Sequence, residues 1–179
     1  MCEAFVKQAE LEAELQFCHI PNPTARAIAS NMPTPPKIIH MLGDCMDNGA
    51  WYVPEEDKIY VPHPYTPTQN ESYAYLLFHE LIHSTLHGSR LNRSFITIGN
   101  PNVYFNSNRT VASRMCGEEL VAELGAKALC KVVGITDLDV EITYTTNIER
   151  YENVLGPEDI EVAHEYAEKA VNYILGYEK

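Results

Sequence analysis

The chain has 179 residues, of which 45% are apolar and 21% charged, and its formal net charge is -12. This length suits a single domain with a sizeable core. No apolar run approaches the roughly 20 residues that span a bilayer, and the N-terminus lacks the pattern of a secretion signal. We therefore expect an intracellular protein. Its acidity disfavours direct binding to nucleic acid phosphates.

The five cysteines are odd in number, widely scattered and without a C-x-x-C pair. This pattern argues against a disulfide framework and against a cysteine-based zinc site. It predicts reduced thiols at Cys2, Cys18, Cys45, Cys116 and Cys130.

The N-terminal part of the sequence predicts helices followed by a small sheet. Hydrophobic spacing indicates one helix over 3–17 and, between proline-rich segments, a second over 24–31. Short extended segments follow at 37–42, 50–53 and 58–62. The last two flank Pro-Glu-Glu-Asp, which suits a hairpin turn.

The C-terminal part predicts mainly helices, at 72–87, 113–133, 147–155 and from Pro157 to about 176. Gly88 is the expected left-handed cap of the first of these, and 91–112 is expected to be irregular. The order predicts an α+β fold in which a small antiparallel or mixed sheet packs on a central helix, with further C-terminal helices. We expect a helical extension over 1–23 and one domain over 24–179.

His79-Glu80-Leu81-Ile82-His83 is an H-E-x-x-H motif on the predicted central helix. Residues four apart share a helix face, so both imidazoles can bind one zinc ion. Glu80 points elsewhere but can take a proton from a metal-bound water. The alternative is a partly buried histidine pair without a metal.

His87 is a poor third ligand, because it lies roughly 12 Å beyond His79 along a continuous helix. We expect it to contact the last carbonyl groups of the helix. A contact with substrate at the cleft edge is the alternative.

Glu119 and Glu123 form a better pair for completing the site, since they also share one helix face. Two carboxylates among small apolar residues need partners. We predict that Glu119 binds the metal and that Glu123 accepts an N–H from a histidine. Glu118 is the alternative ligand, and a solvated Glu123 paired with Lys127 is the alternative without a metal.

The stretches "LLFHELIHSTLHGSRLNR" and "EELVAELGAKALC" resemble the zincin-like metallopeptidase domain of ArdC-type antirestriction proteins from plasmids and phages. "WYVPEEDKIYVP" and "AEKAVNYILG" extend the resemblance over about 24–176. It implies His79, His83 and a glutamate of the second helix as ligands, with Glu80 as base. The Glu-x-x-x-Glu spacing is also similar to gluzincins. The family's N-terminal DNA-associated domain is not matched by the 23 residues that precede the resemblance.

These observations predict a zinc-dependent endopeptidase acting on a protein or peptide in the bacterial cytoplasm. The peptide would add to an edge strand, either 58–62 or its hairpin partner. Candidates for oxyanion or substrate contacts are Tyr104, His87 and His164, together with Tyr144 and Tyr151. The main alternative is a non-proteolytic, metal-stabilised antirestriction protein that binds a host defence protein. A structural zinc site is disfavoured, because two histidines and one glutamate leave a coordination position open.

Overall fold

The computed structural model describes residues 16–41, 49–63, 70–93 and 109–177, with the backbone alone for 70–71 and 109–115. The predicted helix over 3–17 falls mostly outside these residues, and only 16–18 are seen to be helical. The other elements are α1 (Pro23–Asn31), β1 (Lys37–Met41), β2 (Trp51–Val53), β3 (Lys58–Pro62), α2 (Asn70–Ser84), α3 (Arg109–Val132), α4 (Leu138–Glu152) and α5 (Pro157–Ile174).

The three strands form one mixed sheet in the order β1-β3-β2. β1 runs parallel to β3, and β2 pairs antiparallel with β3 through the predicted hairpin. The turn of the hairpin ends at Asp57, whose φ is 51°. Among the described strands β3 is therefore central, and its hairpin partner β2 lies at an edge.

Helix α2 lies at the centre of the fold, between the sheet and α3, and α3 packs in turn against α4 and α5. Leu77, Phe78, Leu81 and Ile82 of α2 have no exposed surface. The predicted α+β architecture, with the sheet on a central helix, is confirmed.

Gly125 allows α2 and α3 to approach closely. A Cβ atom added at Gly125 would clash with the side chain of Ile82. Because α2 carries the histidines and α3 the glutamates, this contact contributes to the spacing between the two halves of the site.

The end of α2 differs from the prediction. The helix ends at Ser84 rather than at 87, and three successive i→i−3 hydrogen bonds follow. The hydroxyl groups of Ser84 and Thr85 donate to the carbonyls of Leu81 and Ile82, which tightens the chain here. Gly88 is not among the residues with positive φ, so its predicted role as a left-handed cap was wrong.

The predicted starts of α3 and α4 were late. Helix α3 begins at Arg109, inside the stretch expected to be irregular. Helix α4 begins at Leu138, nine residues before the predicted start, and Asp137 caps it by accepting from the N–H groups of Asp139 and Val140. Helix α5 begins at Pro157 as predicted. Gly134 and Gly176 have the positive φ expected after a helix.

Two absences concern only the part of the chain that the structure describes. None of its helices is long and apolar enough to cross a membrane. No disulfide joins its cysteines, Cys18, Cys116 and Cys130.

Candidate metal centre

His79 and His83 lie one turn apart on α2, with their rings facing the same cleft. Their Nε2 atoms are 3.1 Å apart, and their side chains are 13% and 14% exposed. Two nitrogens bound to one zinc ion at about 2.0–2.1 Å would be separated by roughly 3–3.5 Å. The pair therefore has the spacing of two ligands of one metal.

Glu119 of α3 faces both imidazoles. Its carboxylate oxygens lie 3.4 Å from Nε2 of His79 and 3.7 Å from Nε2 of His83. Among the described residues, these three form the group whose donor atoms all lie within 4.8 Å of one another. The structure thus brings together the three residues predicted as ligands, in a set that suits a divalent metal.

The outer nitrogen of His79 supports this fit. Its Nδ1 is buried and has no hydrogen-bond partner, but it lies 3.6 Å from Oε1 of Glu123. When Nε2 binds a metal, Nδ1 carries the proton, and a carboxylate is the usual group facing it. Glu123 therefore lies on the predicted side of His79, but the predicted hydrogen bond from the histidine is not formed at this distance.

Glu123 is held by neutral donors from two other helices. Its side chain is 2% exposed. Tyr75 donates to both oxygens, at 3.0 and 2.9 Å, and Asn147 donates to Oε1 at 2.8 Å. Burial raises the pKa of Glu123 despite these contacts and the nearby His79. The alternative of a solvated Glu123 paired with Lys127 is thus wrong, since Lys127 lies over the ring of Tyr144.

Glu118, the alternative ligand, lies outside the donor group and serves a different contact. Its Oε1 accepts from Nδ1 of His83 at 3.0 Å. Both of its oxygens also accept from the guanidinium of Arg93. Each histidine of the motif therefore faces a glutamate of α3 on the side away from the candidate metal position.

The charges of the centre shift the pKa values of His79 and Glu119 in opposite directions. Burial lowers the pKa of His79, but the carboxylates around it outweigh this effect and raise it. Burial raises the pKa of Glu119, but the two histidines lower it overall. The imidazole of His79 and the carboxylate of Glu119 thus attract each other at the position where a metal would bind both.

Glu80 lines the same cleft but does not belong to the donor group. It is 6% exposed, and burial raises its pKa even though the two histidines and a main-chain hydrogen bond from Tyr52 lower it. A carboxyl group with a raised pKa beside a metal site suits a general base.

The cleft has a volume of about 570 Å³ and two unlike walls. One wall is made of α2 and α3, with His79, Glu80, His83, Glu118 and Glu119. The other is the hairpin and the turn after α2, with Ala50, Trp51, Tyr52, Pro54 and Leu86. Of the two strands proposed to receive a peptide, β3 is central in the described sheet, whereas β2 lies at its edge and lines the cleft with Trp51 and Tyr52.

Most other candidates lie away from the metal position. His87 interacts with Ser89 through Nδ1, rather than with the helix carbonyls as predicted. Tyr144 is buried under Lys127. His164 lies on the exposed face of α5, beside a separate hollow. Tyr104 lies outside the described residues.

Tyr151 on α4 is the exception among these candidates. Burial raises its pKa, and the charges of Glu119 and Glu123 raise it further. Its hydroxyl is therefore within electrostatic range of the centre, although Tyr151 does not line the cleft.

Four residues of the site were missed at the sequence level: Arg93, Tyr75, Asn147 and Tyr52. Tyr75 stands four residues before His79, so helical spacing could have placed it on the same face. Arg93 and Asn147 reach the site through turns and helix packing, which leave no local pattern. Tyr52 acts through its main chain, which no side-chain motif reveals.

The chain belongs to the zincin-like metallopeptidase family, whose profile, MPTase-PolyVal, matches residues 39–164. The match covers β2, β3 and most of β1, together with the H-E-x-x-H helix and the helix that carries the three glutamates. Comparison with curated proteins gave no significant match.

Among solved structures, the chain is similar to the antirestriction protein ArdC from plasmid R388. The Mn(II)-bound form of ArdC is 25% identical, with a TM-score of 0.57 over 88% of this chain and 53% of ArdC. The metal-free form is 22% identical, with a TM-score of 0.52 over 90% of this chain and 54% of ArdC. This chain thus spans about half the length of ArdC.

Proposed function

We propose that this protein is a metal-dependent peptidase in which His79, His83 and Glu119 bind a divalent metal and Glu80 is the general base. The observation that carries the proposal is the convergence of these three donors beside a buried carboxyl group in one cleft. Membership of a metallopeptidase family supports it.

A divalent metal at this position would polarise a peptide carbonyl and acidify a water molecule. Glu80 accepts a proton from the water as the water oxygen attacks the carbonyl carbon. Glu80 then returns the proton to the amide nitrogen as the C–N bond breaks. Burial keeps Glu80 away from competing solvent, and the Tyr52 main chain fixes its orientation.

The proposed substrate is a peptide that lies along β2, an edge strand of the described sheet whose residues Trp51 and Tyr52 line the cleft. Main-chain hydrogen bonds to an edge strand bind extended peptides with little regard for sequence. Trp51, Pro54 and Leu86 supply apolar contacts beside the metal position.

Zinc is the proposed metal, because two imidazoles and one carboxylate are a common zinc ligand set. Mn(II) in the similar ArdC structure makes manganese the first competitor. Equilibrium dialysis against equimolar zinc and manganese, followed by metal analysis, would test this choice.

A second candidate function is antirestriction without proteolysis, in the cytoplasm of a bacterium that carries a plasmid or phage. The similarity to an antirestriction protein supports it. In this case the metal would stabilise a surface that binds a host defence protein, and Glu80 would be dispensable.

One comparison separates the two functions. Wild type and Glu80→Gln would be assayed for bound zinc, for cleavage of bacterial proteins by mass spectrometry, and for protection of phage DNA from restriction. The peptidase proposal expects both proteins to bind zinc, but only wild type to cleave and protect. Protection by Glu80→Gln with full zinc content would refute it.

A further inference from the structure

Two arginines in the turn after α2 bind carboxylates on opposite sides of the cleft. Arg90 donates to both oxygens of Asp57 in the hairpin, at 2.8 and 2.9 Å. Arg93 donates to both oxygens of Glu118 on α3. Both arginine side chains are buried, with exposures of 0% and 5%.

The side chain of Arg93 is anchored at the end of α2 by hydrogen bonds other than those to Glu118. Its Nε donates to the hydroxyl of Thr85 at 2.9 Å, and one Nη donates to the carbonyl of Ile82 at 2.9 Å. A guanidinium anchored at these points has little freedom to turn. Its planar fork therefore sets both the position and the plane of the carboxylate it binds.

The carboxylate of Glu118 contacts a predicted metal ligand directly. Its Oε1 accepts from Arg93 at 2.8 Å and from Nδ1 of His83 at 3.0 Å. Glu118 is 3% exposed, so little water can replace either donor. A proton on Nδ1 leaves the lone pair of His83 on Nε2, which faces His79 and Glu119.

We propose that Arg93 is a positioning residue for the metal centre: it holds Glu118 so that Nε2 of His83 faces the metal. The inference rests on the proposed metal site of His79, His83 and Glu119. Arg90 has no such role, since its partner Asp57 binds Tyr52 of the hairpin and does not contact a predicted metal ligand.

The first test is zinc affinity, measured by competition with a chromogenic chelator. Arg93→Met and Glu118→Leu are each expected to weaken zinc binding by about 10–100-fold. In the double variant the losses should not add, because both changes break the same chain of contacts. Arg90→Met is the matched control, expected to stay within about threefold of wild type. Equal affinity in Arg93→Met and Arg90→Met would overturn the proposal.

A second readout does not depend on metal binding. In the metal-free protein, 15N chemical shifts should show His83 with its proton on Nδ1 in wild type and in Arg90→Met. Arg93→Met should shift His83 towards a mixture of tautomers, and Arg93→Lys, which keeps the charge but loses the fork, should lie between. An unchanged His83 tautomer in Arg93→Met would refute the inference. Failure of wild type to bind zinc would instead refute the proposed function.

Discussion

The wall of the cleft formed by α2 and α3 presents ionisable groups, whereas the hairpin wall presents apolar side chains and a strand edge. On the first wall, Glu118 and Glu119 face histidines, and Glu123 faces His79 from behind the wall. On the second, Asp57 is turned away and binds Arg90 and Tyr52. The difference indicates a division of labour, with metal binding on one wall and substrate contact on the other. Changes in the two walls should then affect different measurements.

Loss of a ligand on the helical wall should have the largest effect. Glu119→Ala is expected to weaken zinc binding by more than about 100-fold, because two histidines alone leave the ion with two protein ligands. Isothermal titration would measure this loss. Glu149→Ala, at an exposed position on α4, is the matched control and should bind zinc like wild type. Unchanged affinity in Glu119→Ala would show that the metal lies elsewhere.

Breaking the Arg90–Asp57 pair should destabilise the hairpin wall without changing the metal site. Arg90→Met is expected to lower the free energy of unfolding by about 2 kcal/mol at pH 7. This is less than for a fully buried pair, since the Asp57 side chain is 32% exposed. Urea denaturation would measure the change, and a large loss of zinc affinity in the folded variant would contradict the division between the walls.

The stabilisation that the Arg90–Asp57 pair provides should depend on pH. Burial raises the pKa of Asp57, but hydrogen bonds from Arg90 and Tyr52 outweigh it and lower the pKa overall. A carboxyl group whose pKa is lowered in the folded state stabilises the protein at pH values above its pKa in the unfolded chain, which is about 3.9 for Asp. This stabilisation disappears as the pH falls through the pKa of the folded state. The difference in the free energy of unfolding between wild type and Arg90→Met should therefore become smaller below about pH 4. A constant gap from pH 7 to pH 3 would contradict this assignment.

Within the helical wall, Glu123 should matter less than Glu118. Glu123 lies 3.6 Å from its histidine nitrogen, beyond hydrogen-bond distance, whereas Glu118 lies at 3.0 Å. Glu123→Leu is expected to weaken zinc binding by about 10-fold, at the low end for such partners. Glu123→Gln, which keeps an oxygen for Tyr75 and Asn147, should lose less. Chelator competition would measure both, and a loss larger than in Glu118→Leu would reverse the proposed ranking.

The smallest effect is expected on the hairpin wall. Trp51 stacks on Tyr60 at 5.5 Å between ring centroids, and it lines the cleft. If substrates lie along β2, Trp51→Ala should raise KM about threefold through the lost apolar contact and leave kcat and zinc content unchanged. Steady-state kinetics on a cleaved peptide would measure this. A fall in kcat at constant KM would show instead that Trp51 contributes to the chemical step and not to substrate binding.

The sequence allowed much of the helical wall to be predicted, because its residues repeat at helical spacing. His79 and His83, and likewise Glu119 and Glu123, lie four apart, so the shared face followed from periodicity alone. The pairing of Glu118 with His83 could not be found in this way. It depends on how α3 rotates against α2 and on Arg93, which arrives from a turn.

The errors in the fold have a similar cause. Helix α4 was predicted too short because threonines and β-branched residues fill its first half, and they favour helices only weakly. Packing of Val140, Tyr144 and Ile148 at four-residue spacing overrides this preference. The early end of α2 depends on hydroxyl groups that compete for helix carbonyls, and such competition is hard to anticipate from composition.

The close contact of Gly125 with Ile82 makes these two positions interdependent in any variant of this chain. A larger residue at 125 would separate the helices and move the glutamates away from the histidines, unless residue 82 became shorter at the same time. Because a Cβ at Gly125 would clash with both Cδ1 and Cγ1 of Ile82, only loss of both carbons makes room for it. Gly125→Ala and Ile82→Ala should therefore behave as a compensating pair, each harmful to metal binding or packing alone and better tolerated together. Homologues that keep the same centre should vary at these two positions in concert.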